Sequence, residues 1–478
     1  MSAAWGTPVA RRALAAAVLG SGVAFLDGTI VNVAIPAIGR DLHASLAGLQ
    51  WVLDAYLVTL TALLLLGGAL GDRYGRKRVF LLGIYVFAAA SVACGLAPNI
   101  ELFVAARAVQ GAGGALLVPG SLALLTATLR PSDRPRAVGA WSGLTGVASA
   151  IGPLLGGWLV DAASWRFAFL LNLPLTVAVV VVARGIPESV DEDAPNHIDA
   201  PGAIAAAGGL VLLTAGLIGA GDGWSALTIG ACVAGALALA GFVVLERRSP
   251  DPMLPLGLFG SAQFTGANLV TLAVYAGLGA AFFLVVVNLQ VSLGYSALEA
   301  GIAMLPVTLL MLALSSRAGA LAQRIGPRLP MTVGPLLVAA GLLWLGQVGA
   351  GDGYVSAVLP AVLVFGLGLA TTVAPLTAAV LGAVDEHHLG VGSAVNNAVA
   401  RLAGLLAVAV LPSIAGVELD AGGRDGLPGY RTALAISAAL CVVGAAIAAA
   451  TIRQARLTEP TVQASVLQPC HEPCRVTS

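Results

Sequence analysis

The sequence predicts an all-α integral membrane protein, with fourteen spanning helices arranged as two six-helix bundles plus two inserted helices. Three observations predict it. Of 478 residues, 58% are hydrophobic and 10% charged, with a mean hydropathy of +0.93, whereas soluble domains carry about 25% charged residues. Apolar runs of about 20 residues, enough to cross a bilayer, recur from end to end. A charged stretch between two of these runs, GALGDRYGRK at Gly68–Lys77, returns in looser form as GALAQRIGPR at Gly319–Arg328.

Taken in order, windows of spanning length place helices at roughly 13–35, 49–70, 79–97, 100–125, 136–160 and 165–183. A polar break, RGIPESVDEDAPNHID, follows the sixth. Further windows fall at about 201–220 and 226–245, then 263–288, 298–316, 330–349, 355–381, 390–415 and 432–452. The expected units are a first bundle at 1–183, the inserted pair with its linkers at 184–250, and a second bundle at 251–452. A tail at 453–478 is expected to lack fixed structure. An even helix count puts both chain ends on one side. That side carries eighteen of the 24 arginine and lysine residues, so the positive-inside rule makes both termini cytoplasmic in a multi-pass inner-membrane protein.

The two copies of the charged loop fall between helices 2 and 3 and between helices 10 and 11. If helices 7 and 8 are inserted, helices 9–14 replay helices 1–6, and parallel six-helix repeats are the organisation of the major facilitator fold. Gly68, Gly71 and Gly75 keep side chains clear of a tight turn. Asp72 is an anion at a helix end, able to meet a facing helix N-terminus or the guanidiniums of Arg73 and Arg76. Such a cluster can latch one mouth of a transporter; alternatively, the cations only fix topology. Gln323 removes the anion from the second copy, so the halves are expected to be unequal.

GGALGDRYGRKRV resembles the loop signature of major facilitator transporters. LDGTIVNVAIP (Leu26–Pro36), RAVQGAGGA (Arg107–Ala115), GLTGVASAIGPLLGGWL (Gly143–Leu159) and SWRFAFLLNLP (Ser164–Pro174) are similar to the 14-helix drug:proton antiporter family within that superfamily. So are GYSALEAGIAMLP and GVGSAVNNAVARLAG further on. The resemblance implies efflux of drugs or antibiotics driven by a proton gradient. It also implies that Gly152, Pro153, Gly156 and Gly157 form the helix 5 segment that accompanies antiporters. In physical terms Pro153 bends that helix, while the glycines let a neighbour cross closely and seal against leak.

Ionisable groups inside a span are functional candidates because they are expensive to place there. Asp27 falls about 12 Å from the outer end of helix 1, Asp54 about 7 Å into helix 2, and Arg107 about 10 Å into helix 4, at 1.5 Å per residue. Their similar depth in the outer half permits one polar cluster. Burial raises the proton affinity of a carboxyl and a neighbouring Arg lowers it, so an Asp that gains or loses Arg107 would bind and release a proton by state. Asp27 is the first candidate, because the resemblance places the membrane acid in its motif, and Asp54 the second. Asp54 reads equally as a solvated interfacial acid, and Asp27 as a partner of a kinked backbone. In helix 13, Arg401 lies near mid-membrane, with Asn396 and Asn397 a turn away; it either contacts substrate or pins the helix.

Other classes fit poorly. A net charge of +0 leaves no nucleic-acid footprint. No phosphate-cradling loop is present and Lys77 is the sole lysine, so no nucleotide is expected as fuel; no cofactor is expected beyond the proton gradient. The tail CHEPC fits no standard zinc spacing, and no metal site is assigned. The expected partners are protons, a small lipophilic substrate and the bilayer, and a monomer suffices for the fold. The alternatives are a metabolite symporter or importer, against which the Gly-Pro helix argues, and a membrane-embedded enzyme, for which no catalytic constellation gathers at one depth.

Overall fold

The computed structural model describes residues 3–190, 199–249, 252, 254–384, 389–417 and 427–453. Among these, fourteen helices are long and apolar enough to cross a membrane. The first six are α1 (Pro8–Asp41), α2 (Leu46–Tyr74), α3 (Arg76–Leu96), α4 (Ile100–Thr128), α5 (Arg134–Ala162) and α6 (Trp165–Ala183, with a turn at Leu171). The inserted pair is α7 (Ala200–Gly219) and α8 (Ala226–Arg248). The last six are α9 (Ala262–Val291), α10 (Ala297–Ile325), α11 (Arg328–Leu345), α12 (Leu359–Leu381), α13 (Leu389–Ile414) and α14 (Tyr430–Thr451). We call the face where α1 begins and α14 ends the terminal face, and the other the opposite face.

Short polar residues start these helices, accepting the first free N–H groups of the backbone. Thr7, Ser45, Asn99 and Ser261 do so for α1, α2, α4 and α9. Ser225 with Thr228, and Ser296 with Glu299, form reciprocal capping boxes on α8 and α10. The start of α3 has no such cap of its own. Glu188, beyond α6, supplies it: its carboxylate accepts from Lys77 N at 2.9 Å and Arg78 N at 3.1 Å. Gly75 has φ +112°, and a Cβ there would meet that carboxylate, so the position requires glycine.

The packing repeats with a period of eight helices. In the first bundle α4 packs on α2 and α3, and α1 on α5; in the second α12 packs on α10 and α11, and α9 on α13. Lipid supplies no hydrophobic drive for association, so close approach does. Gly67 on α2 and Gly111 on α4 sit where a Cβ would enter the facing backbone at Ala115 and Tyr56. Replacing Gly111 by alanine should therefore cost about 1–3 kcal/mol by overpacking, measured as a loss of thermal stability in lipid nanodiscs. Replacing Gly139, which faces open space, should change little.

The inserted helices pair tightly through Gly209, Gly216 and Gly235. α7 lies over the seam between the bundles, against α2 and α13, with Leu210 beside Val58 and Leu405. α8 turns outward, with Leu227 and Leu237 exposed as expected for lipid contact.

Candidate functional site

At the middle of the first bundle a polar network joins five helices. Arg107 on α4 donates to Asp27 Oδ2 at 2.6 Å and to Gln110 Oε1 at 2.6 Å, and its Nε donates to Val52 O on α2 at 3.1 Å. Asp27 Oδ1 accepts from Gln110 Nε2 at 2.9 Å and from Asn172 Nδ2 of α6 at 3.0 Å. Both of these amides also donate to Ser91 Oγ on α3. The guanidinium lies 4.4 Å from the centre of the Tyr56 ring, a cation–π arrangement. Asp27 and Arg107 are each 1% exposed. Charge-assisted hydrogen bonds of this kind offset the desolvation of a buried ion pair only when its remaining lone pairs are also satisfied. Here Asp27 meets three donors.

Asp54 stands apart. It is fully buried, and among the described residues neither carboxylate oxygen has a hydrogen-bond partner. The solvated, interfacial reading of this residue is therefore overturned. α1 runs on to Asp41, about 21 Å beyond Asp27 at 1.5 Å per residue, well past the window that hydropathy assigns to it. The structure brings Asp27 and Arg107 together and leaves Asp54 outside their network.

In the second bundle Arg401 Nε donates to Asn397 Oδ1 at 3.2 Å, one turn away on the same face. Asn396 points elsewhere, donating to Thr271 Oγ1 at 2.6 Å and Asn268 Oδ1 at 3.2 Å on α9. Asn396 thus ties α13 to α9 inside its own bundle.

The helix 5 glycines serve two neighbours. Cβ atoms at Gly152 and Gly156 would strike Thr29 and Ile30 of α1, whereas one at Gly157 would strike the backbone of Ala297 and Leu298 on α10. Gly301 of α10 in turn lies against the Pro153 carbonyl. The segment thus sits between the bundles. Near it Asp161 accepts from Ala297 N at 3.1 Å and Leu298 N at 2.8 Å, capping α10 from the other bundle.

Two amides make similar crossings. Gln290 of α9 donates to Val33 O of α1 at 3.0 Å. Gln50 of α2 donates to Val408 O of α13 at 2.7 Å. The Val408 carbonyl lacks its usual helical donor because residue 412 is proline, which has no N–H. Among the described residues, the hydrogen bonds that join the two bundles lie in the half nearest the opposite face, and this conformer is sealed there. Replacing Gln50 by leucine leaves the Val408 carbonyl unpaired, which costs about 1–3 kcal/mol. Hydrogen exchange at the opposite-face ends of α2 and α13 should rise in that variant.

At the terminal face Asp72 pairs with Arg76 at 2.7 Å. The expected guanidinium contact is present, but the facing helix terminus is taken by Glu188 rather than Asp72. Lys77 Nζ also donates to the Ile186 carbonyl at 2.7 Å. Gly68 and Gly71 face open or loosely filled space. The residues of the CHEPC tail and Asp385–His388 lie outside the described residues.

Charge and depth pointed to Asp27 and Arg107. They could not point to Gln110, Asn172, Gln50, Gln290, Asp161 or Glu188. The spacing of Gln110 three residues after Arg107 was the one available signal, since it puts both on one helix face.

The Major Facilitator Superfamily model matches residues 17–408. The chain belongs to that superfamily. Among its relatives is the tetracenomycin C resistance and export protein of Streptomyces glaucescens, 37% identical over 83% of this chain and 74% of that one. Another is a probable actinorhodin transporter of Streptomyces coelicolor, 35% identical over 92% of this chain and 79% of the other. The cephamycin export protein of Amycolatopsis lactamdurans is 34% identical over 86% of each chain. In fold, this superfamily member resembles the inward-open xylose transporter of E. coli, with a TM-score of 0.64 at 14% identity, over 93% of this chain and 97% of that one.

Proposed function

We propose that the protein exports small lipophilic compounds of the antibiotic type by proton-coupled alternating access, as a secondary active transporter with no cofactor. Both chain ends then lie in the cytoplasm and the opposite face looks outward. The named activities of its relatives support export, and the excess of arginine on the terminal face supports the orientation.

The observation that carries the coupling is the pair of contrasting acids in the first bundle. Asp27 accepts from three donors. Asp54 is sealed from water without any. Burying a carboxylate unpaired is among the most expensive arrangements available, so this conformer accommodates Asp54 as the neutral acid. It lies one helical turn from Gln50, on the same face of α2, and Val58 a turn further on packs against α13. Opening the outer seam lets outside water reach that face, where the carboxyl takes up a proton from the more acidic outer medium; closing the seam carries it in as the neutral acid, for release to the cytoplasm. Asp54 in this account carries the proton, while Asp27 and Arg107 hold α1, α4 and α6 in the geometry that buries it. The membrane potential contributes about 2.3 kcal/mol per charge per 100 mV.

Everted vesicles test this. An imposed proton gradient should drive uptake of dyes or antibiotics by the wild-type protein but not by the Asp54→Asn or Asp27→Asn variants. Uptake without any proton movement would make the protein a uniporter.

A further inference from the structure

We propose that the cargo is an organic anion, held in the space between the bundles by the guanidinium of Arg401. This rests on the transport reading only in that the space receives a cargo.

The charges within the membrane do not balance. Asp27 and Arg107 neutralise each other in a closed network. Asp54 is sealed and has no partner. Among the described residues, the other acids of the spanning helices lie in first or last turns: Asp41, Asp72, Glu101, Asp161, Glu246 and Glu299. Arg401 occupies the midpoint of α13 and, among the described residues, pairs with no carboxylate; there its one hydrogen bond runs from Nε to the neutral Asn397 side chain. The terminal amino groups of the guanidinium are left to donate elsewhere.

One turn further along the same face of α13, Leu405 packs against Val58 of α2, so Arg401 lies on the side of α13 that faces the first bundle. It nevertheless retains some accessible surface. That surface therefore lies on the side of α13 turned toward the first bundle. Ser393, Asn397 and Arg401 recur every four residues, on one face of α13. This polar stripe leads from the terminal face to mid-membrane. On the other bundle, Gly28 next to Asp27 has nothing within 4 Å of where a Cβ would lie, so open space adjoins α1 as well.

An unbalanced cation at the midplane is costly unless water or a ligand answers it, and such residues mark ligand pathways. A guanidinium offers a planar fork that matches a carboxylate, and Asn397 fixes its orientation. The class implied is a largely apolar compound bearing one carboxylate or ionised phenol. An inside-negative potential drives such an anion outward and protons inward, so both halves of the exchange run with the field.

The test is binding, without any gradient. Purified protein in phosphatidylcholine nanodiscs is titrated calorimetrically with naphthalene, anthracene and anthraquinone rings, each as the carboxylate, the carboxamide and the aminomethyl compound. The carboxylates should bind at least tenfold more tightly than their amides. Arg401→Gln should erase that preference while leaving amide affinity in place, and Arg401→Lys should keep part of it. Equal binding of acid and amide, preference for the amine, failure of every carboxylate to bind, or a preference that survives Arg401→Gln would each overturn the proposal. The wild-type ranking stands even where a variant fails to fold. A negative result here leaves export of neutral or cationic cargo intact, and a failure of gradient-driven uptake leaves the binding result intact.

Discussion

Replacing Asp27 by asparagine is expected to cost about 3–5 kcal/mol of stability, the usual penalty for stranding one member of a buried ion pair, and to end transport. Arg107 would remain 1% exposed, with its anion gone and Gln110, the Val52 carbonyl and the Tyr56 and Phe169 rings left to answer it. The loss should appear as a lower unfolding temperature in nanodiscs. Replacing both residues, as Asp27→Asn with Arg107→Gln, should recover much of the stability, because the uncompensated charge is gone. It should not recover transport. A single variant as stable as wild type would mean that the pair is not holding the five helices together.

Asp54 should behave in the opposite way. Asp54→Leu removes a buried polar group that has no partner and replaces it with an apolar group of similar size. Stability should rise by about 1–3 kcal/mol, yet gradient-driven uptake should fall to that of empty membrane. Gains in stability with loss of function are the signature of a strained functional site. Should Asp54→Leu lose stability instead, the carboxyl must be making favourable contacts here and the assignment of the proton to it fails.

The helices were legible because hydrophobic length is a direct record of the bilayer. Their ends were less so. The first window, 13–35, fell short of Pro8–Asp41, because hydropathy sees the hydrocarbon slab and not the solvated turns that carry Arg11, Arg12, Arg40 and Asp41. Of the site, Asp27 and Arg107 were legible, since charge in an apolar run needs a partner. Gln110 and Asn172 were not, because neutral amides give no such signal. The crossings by Gln50, Gln290 and Asp161 end on backbone atoms, and no side-chain pattern can announce a backbone partner. Val408 offers a partial exception: Pro412, four residues on, frees its carbonyl, and the sequence shows that proline plainly.

The same reasoning explains why Asp72 was read correctly in part. Its spacing from Arg76 is i,i+4, which the sequence states. That Glu188, 111 residues further on than Lys77, reaches the α3 terminus first depends on the path of the chain after α6. Local spacing carries no trace of that path.

The central claim is that Asp54, loaded from the outer medium while the outer seam is open, is held as the neutral acid while the seam is shut against water. Infrared difference spectroscopy of the protein in nanodiscs at neutral pH reads this directly. The account predicts a protonated-carboxyl band present in wild type, absent from Asp54→Asn, and diminished in Gln50→Leu, where the seam is loosened. A wild-type protein without that band, or a band of equal strength in all three proteins, would contradict it.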